Sequence, residues 1–277
     1  MITAIATQPA PQERRGGPWA YVSPSRLNSW LACPLKFKFR YIDGIRTPTT
    51  ANLFLGKACH SLLEAFYRHR QLGVPLEPGE LQRRLLRSWD DLVAEDGMVF
   101  ESAADEQRLQ QQAVELVDAY LAHVSADEPR PLAVETAIEA PLVDPASGKD
   151  LGVPLLGVVD LVLDEPSGPL IADFKTSARS AEPLEVTHEI QLTAYAWLFR
   201  QAAKRQEGGL EIRSLIKTKV PKIEVYRYPA RTDAHFARFF AVVREYLDAL
   251  DAGRFNYRPG FGCSMCDFRE RCLKWQG

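Results

Sequence analysis

No run of apolar residues approaches the length of a membrane span, so a transmembrane helix is not expected. Met1 to Gly17 has no basic start followed by an apolar block, the mark of an export signal, and a cytoplasmic protein is expected. No GxxxxGK[ST] phosphate loop and no internal repeat occur, which argues against a built-in ATP motor and a solenoid. Charge of either sign is not in excess: 34 basic and 36 acidic residues leave a net charge of -2. Any nucleic-acid binding must therefore come from a local basic groove rather than from overall charge. What remains is an ordinary globular composition, 46% hydrophobic and 25% charged, in 277 residues, enough for one large domain or two small ones. Cysteine is scarce, five residues, yet Cys263, Cys266 and Cys272 crowd into one short stretch. In a reducing compartment such crowding argues for metal more than for disulfides.

The chain is organised around Gly157-Val158-Val159-Asp160-Leu161-Val162-Leu163-Asp164, the cluster Glu165-Pro166-Ser167-Gly168-Pro169, and Leu170-Ile171-Ala172-Asp173-Phe174-Lys175. The two apolar runs predict strands over 152–164 and 169–175, and the Pro-Ser-Gly-Pro cluster breaks both helix and ladder between them. Alternate side chains of a strand share a face, so Asp173 and Lys175 lie together while Phe174 points away. The partner strand can bring Asp160 alongside. Unpaired buried charges cost several kcal/mol, and two converging carboxylates repel unless a cation neutralises them. Oxygen ligands of this kind suit Mg²⁺ or Mn²⁺. A solvated Asp173–Lys175 surface pair is the plain alternative, but Asp160 sits mid-run between Val159 and Leu161.

Before the hairpin, residues 1–22 are rich in Pro, Gln, Gly and Arg without periodicity and are expected to form a flexible tail, with one domain over 23–277. Ser23-Pro24-Ser25 caps a short helix, and Pro34 opens a second one over Leu35 to Ile42. There Lys36-Phe37-Lys38-Phe39-Arg40-Tyr41 interleaves basic and aromatic residues, a pattern that can line a nucleic-acid path but taken alone is better read as rings in the core and charges in water. Helices are expected over Gly56 to Arg70, 78–95 and Asp105 to Val124, the last an amphipathic scaffold helix. On the first, His60 and Glu64 are four apart and read as an ion pair, with neutral His60 as a metal ligand the alternative. A strand is expected over Leu132 to Val143. After the hairpin come a helix over Glu189 to Gln206, on which Gln191 and Tyr195 share a face, strands over 211–219 and 222–228, and a helix over 233–250. Lys217, Lys219 and Lys222 cluster around the break at Pro221.

Three thiolates from Cys263, Cys266 and Cys272 leave one vacancy, and Cys33, helical and near the other end of the chain, is the natural fourth ligand. Cys59 reads as an ordinary buried thiol. Four cysteines fit tetrahedral zinc or a [4Fe–4S] cluster, and spacing does not separate them. Either would tie the two ends of the domain together and close a long loop.

In this combination the chain resembles the RecB-like nucleases of the PD-(D/E)XK superfamily, and within them the branch with a cysteine-bound iron–sulfur cluster that includes the AddB nuclease domain and CRISPR-associated nucleases. The residues that carry the resemblance are Cys33-Pro34, Gly56 to His60, Gly157 to Asp160, Asp173-Phe174-Lys175, Gln191 to Tyr195 and the Cys263-Cys266-Cys272 trio, spread from Ser23 to Cys272. The resemblance implies an α/β fold: a restriction-endonuclease-like core with a mixed central sheet flanked by helices, a helical N-terminal insertion and a cysteine staple joining the termini. It implies Asp160 and Asp173 as metal ligands, with the Phe174 carbonyl and His60 completing the protein shell. Lys175 then orients or deprotonates the attacking water, and Gln191 and Tyr195 hold the DNA strand. Cys33, Cys263, Cys266 and Cys272 bind [4Fe–4S], favoured here over zinc. Glu64 and Glu135 are left structural. The implied activity is a Mg²⁺- or Mn²⁺-dependent deoxyribonuclease, an exonuclease on single strands or ends, in repair, recombination or phage- or CRISPR-type DNA processing. A separate helicase or recombination protein is the expected partner. The competing expectations are a catalytically silent DNA-binding or scaffold module and a zinc-stabilised interaction protein.

Overall fold

The computed structural model describes residues 16–77, 79–179 and 185–277. Most of the expected tail, residues 1–15, lies outside the described residues, as does Pro78 at the expected start of a helix. Within the rest of that tail, Gly17–Trp19 forms a 3₁₀ turn and buried Val22 bridges Leu155.

In chain order the elements are α1 (Pro24–Ala32), α2 (Pro34–Phe37), a π-helical turn (Lys38–Ile42), α3 (Ala51–Leu72), α4 (Glu80–Asp96), α5 (Ala103–His123), β1 (Pro131–Val143), β2 (Asp150–Glu165), β3 (Gly168–Ser177), α6 (Glu185–Ala203), β4 (Gly209–Ile216), β5 (Lys222–Pro229), α7 (Asp233–Asp251), a 3₁₀ turn (Phe261–Met265) and α8 (Arg269–Lys274). Local chemistry sets several boundaries. Ser23, Thr50 and Ser102 each accept a hydrogen bond from a backbone N–H three residues on and so open α1, α3 and α5. Gly73 and Gly97 close α3 and α4 in the left-handed conformation that costs glycine least, at φ 69° and 60°.

One mixed sheet of five strands, in the order β1-β2-β3-β4-β5, is flanked by helices, and this is the expected fold class. β2 and β3 pair antiparallel, β3 and β4 parallel, and β4 and β5 antiparallel. The parallel step needs a crossover, and α6 supplies it. Among the described residues no helix is long and apolar enough to cross a membrane.

The described residues fall in two compact units: those within 46–138 and 157–232, and those within 16–45, 139–156 and 233–277. The core of the first gathers Phe54, Leu62, Tyr67, Trp89, Leu116 and Tyr120 from α3, α4 and α5 against Leu161, Leu170 and Phe174 of the sheet. Beneath Phe174 lies a buried polar knot. The Arg213 guanidinium donates to Glu128, Glu211 and the hydroxyls of Tyr67 and Tyr120, at 2.6–3.0 Å, so its charge is fully paired. In the second unit Trp30, Phe37 and Tyr246 pack edge to face, joining α1, α2 and α7. Phe37 and Phe39 are buried whereas Arg40 is exposed and Lys38 pairs with Asp43, so this helix keeps its rings in the core and its charges in water.

Candidate active site

The strand register builds the site. Leu161 pairs with Ala172 at the end of the β2–β3 ladder, so Asp160 and Asp173 follow directly on the two strands. Asp160 Oδ2 accepts a hydrogen bond from the Phe174 amide at 2.8 Å, which fixes its carboxylate against β3. Phe174 is turned into the core, where its ring stacks on Tyr67 and meets Tyr120 and His60 edge-on. Asp173 and Lys175 occupy the opposite face, with Lys175 Nζ 2.7 Å from Asp173 Oδ2.

Helix α6 lies over that face. It can do so because β2 carries Gly157 beneath it: a Cβ at that position would fall 2.7 Å from Leu198 Cδ1 and 3.5 Å from the Tyr195 ring. Gln191 then spans the site. Its Nε2 donates to Asp173 Oδ1 and to the Tyr195 hydroxyl, and its Oε1 accepts from Lys175 Nζ, each at 2.9 Å. Asp173 Oδ2 is buried and finds no hydrogen bond of good geometry despite the nearby ammonium.

Helix α3 supplies His60 from the other side. Its Nε2–H donates to the Phe174 carbonyl at 3.1 Å, and Nδ1 lies 3.4 Å from Glu135 Oε1 and 3.7 Å from Asp160 Oδ2. The expected His60–Glu64 ion pair is not formed: Glu64 is 3.5 Å from Arg68 instead, because two carboxylates and a carbonyl outcompete one half-buried neighbour for the imidazole.

Glu135 is the residue that sequence reasoning passed over. It sits in β1 with φ 37°, a conformation a non-glycine residue rarely adopts in a strand, and it brings its carboxylate to His60. His60, Glu135 and Asp160 together offer ligand atoms within 4.8 Å of one another. Only the strand order could have found it, since an alternating strand gives no signal for one glutamate among others. His188, half-buried and influenced by both Lys175 and Asp173, is a second residue that spacing did not single out.

The electrostatics are those of an acidic site short of positive charge. Burial and the charge of Asp173 push the Asp160 carboxyl up to about 7. Burial opposes the charged form of His60, but its hydrogen bond to Glu135 and the carboxylates of Asp160, Glu135 and Asp173 outweigh burial and raise its pKa. Burial and Lys175 lower that of His188. An orphaned carboxylate oxygen, a carboxyl held partly protonated and an oxygen-rich donor set of Asp160, Asp173, Glu135 and the Phe174 carbonyl with one imidazole fit Mg²⁺ or Mn²⁺.

The cysteines fall in two places. Cys59 is fully buried in the core on α3, and burial pushes its thiol up to about 12. Cys33, Cys263, Cys266 and Cys272 lie in the other unit. Cys33, Cys266 and Cys272 pack on Leu35, Phe39 and Phe268, and the Cys33 sulfur accepts from the Arg258 amide at 3.4 Å. Burial, with the thiols of Cys33, Cys266 and Cys263, raises the Cys272 pKa, and all five cysteines are free thiols.

No curated protein matches the sequence. Among solved structures, a candidate exonuclease from Eubacterium rectale is similar with a TM-score of 0.58 at 14% identity, over 93% of this chain and 89% of that one, a likeness of fold. The protein SSO0001 gives a TM-score of 0.41 at 13% identity over 78% of this chain and 97% of that one, too distant to argue from. The sequence itself matches the family model of the PD-(D/E)XK nuclease superfamily over residues 21–273. That match takes in the hairpin carboxylates, the lysine beside them and the helix laid over them, and with it the chain belongs to the PD-(D/E)XK nuclease superfamily, the phosphodiester hydrolases built on this sheet.

Proposed function

We propose that the protein is a Mg²⁺- or Mn²⁺-dependent deoxyribonuclease of the RecB-like kind, acting as an exonuclease on single strands or ends. One observation supports this above the rest: His60, Glu135 and Asp160 offer ligand atoms within 4.8 Å of one another, beside the Phe174 carbonyl and the Asp173–Lys175 pair. Asp160 and Asp173 would hold the cation, with the Phe174 carbonyl, His60 and Glu135 as the further groups available to it. When bound, the cation would supply Lewis-acid chemistry, polarising the phosphate and acidifying an attacking water. Lys175, steered by Asp173 and Gln191, aligns that water and stabilises the charge that develops on the phosphate oxygens. Gln191 and Tyr195 position the strand, Gln191 holding the Tyr195 hydroxyl at the edge of the site.

Cys33, Cys263, Cys266 and Cys272 bind [4Fe–4S] in this reading: four cysteines can supply an all-sulfur donor set of the kind iron–sulfur clusters or zinc favour, and three of them pack on one small apolar cluster. The setting is cytoplasmic DNA repair, recombination or phage- or CRISPR-type processing, in concert with a separate helicase or recombination protein. End-labelled single- and double-stranded DNA, incubated with Mg²⁺ or Mn²⁺, tests the activity. Cleavage by wild type and none by Lys175→Ala is the expected result, and the product ladder gives the polarity. Equal cleavage by both would remove Lys175 from the site. Binding without cleavage in every metal would return the protein to the silent-module reading.

A further inference from the structure

The turn between β4 and β5 is the most basic short stretch beside the site, and nothing in the reading above uses it. Residues 216–222, Ile-Lys-Thr-Lys-Val-Pro-Lys, carry three lysines and no acid, on a chain whose net charge is -2. The turn is a built feature. The Lys217 amide donates to the Ser177 carbonyl at 2.9 Å, the Thr218 hydroxyl to the Val220 carbonyl at 2.6 Å, and Lys217 Nζ bonds the Asn52 side chain at the start of α3. Lys219 and Lys222 are exposed, with no ion-pair partner among the described residues. The nearest acid along β5, Glu224, already accepts from the Tyr226 hydroxyl.

Parallel pairing fixes where these charges stand. Asp173 pairs with Ile212 and Ser177 with Ile216, so the turn begins where β3 leaves the active site. Four strand residues at about 3.3 Å each place it about 13 Å from Asp173, roughly four nucleotides of a stacked strand at about 3.4 Å per nucleotide. Helix α3 packs at the same end of β3, since a Cβ at Gly56 would lie 3.0 Å from Thr176 Oγ1.

We propose that Lys217, Lys219 and Lys222 form a phosphate-contacting ramp that leads a single DNA strand along the end of β3 to the carboxylates. The inference rests on the nuclease reading for its substrate, and it adds the surface that holds the strand. The lysines are a point-charge contact to backbone phosphates, indifferent to base sequence. Lys217 also braces α3 through Asn52, so the test uses the two lysines that brace nothing.

Binding of a fluorescein-labelled oligothymidine is measured in EDTA across a series of NaCl concentrations, for wild type, Lys219→Ala/Lys222→Ala and Lys219→Arg/Lys222→Arg. The slope of log Kd against log salt is expected to fall in magnitude by about 1.4 in the alanine variant, about 0.7 per lost contact on a single strand. The arginine variant is expected to keep the wild-type slope. In Mn²⁺ the alanine variant is expected to raise KM for oligothymidine about tenfold while kcat falls less than about threefold. An unchanged slope, or an arginine variant as weak as the alanine one, overturns the ramp, and so does a loss confined to kcat. Failure of wild type to cleave in any metal would sink the nuclease reading instead, while the slope in EDTA would still decide the ramp.

Discussion

The carboxylate site and the cysteine cluster are held in opposite ways. Asp160 and Asp173 stand on paired central strands, 7% and 2% exposed, and the Phe174 amide and the Gln191 amide hold their carboxylates. The cysteine cluster rests on short 3₁₀ and helical turns over only three buried side chains, Leu35, Phe39 and Phe268, while Phe261, Met265 and Leu273 stand exposed. A site that must place charge to a fraction of an ångström is built on rigid elements and tolerates the electrostatic cost. The proposed metal would lend such a small core the stability that small metal-bound segments draw from their ligand.

The comparison breaks first at Asp173. Asp173→Asn keeps the shape and removes the charge, and cleavage is expected to fall about 10³-fold or more, since a metal-held transition state is worth several kcal/mol. Its melting temperature is expected to stay within about 3 °C of wild type, because relief of repulsion with Asp160 offsets the lost contact with Lys175. A variant that simply unfolds would show that the carboxylate holds the structure rather than the chemistry.

Cys272→Ser is expected to do the reverse. Iron and visible absorbance vanish from anaerobically purified protein, and the melting temperature drops by roughly 5 °C or more. Iron retained at the wild-type level would mean that Cys272 is not a ligand.

Glu135→Gln sharpens the first half of the comparison. It leaves volume and backbone alone and is expected to weaken Mn²⁺ binding about 10- to 100-fold by calorimetry, the size seen when groups that orient or complete a metal shell are lost. An unaltered Kd would make Glu135 a structural strand residue after all.

The smallest effect is a pH dependence. The Asp160 carboxyl, pushed up to about 7, binds its proton more tightly in the folded chain than in the unfolded one. Stability of the metal-free protein therefore falls as pH rises from about 4 to about 7 on its account, and the raised His60 extends the fall upward, its contribution being present below its unfolded pKa and lost through the folded one. A cation replaces those protons. The increment in melting temperature on adding Mn²⁺ is thus expected to grow between pH 5.5 and 8 by about 2–4 °C for each kcal/mol recovered. Calorimetry showing a larger increment at the acid end would overturn the assignment of these two groups.

The sequence by itself determined the local pieces. Pro166 and Ser167 turn the chain between Glu165 and Gly168, two-residue alternation puts Asp173 and Lys175 on one face, and helical spacing puts Gln191 and Tyr195 on another, because those periods are properties of the backbone alone. Tertiary structure decided the choices between neighbours. His60 left Glu64, four residues away, for Glu135 and the Phe174 carbonyl, 75 and 114 residues away. The lysines at 217–222 came to the end of β3 only through a parallel pairing that α6 makes possible. Spacing along the chain does not encode which strand lies beside which. That is settled by the burial of Phe174, Leu161 and Leu170 in one core, and the polar contacts follow where the apolar ones permit.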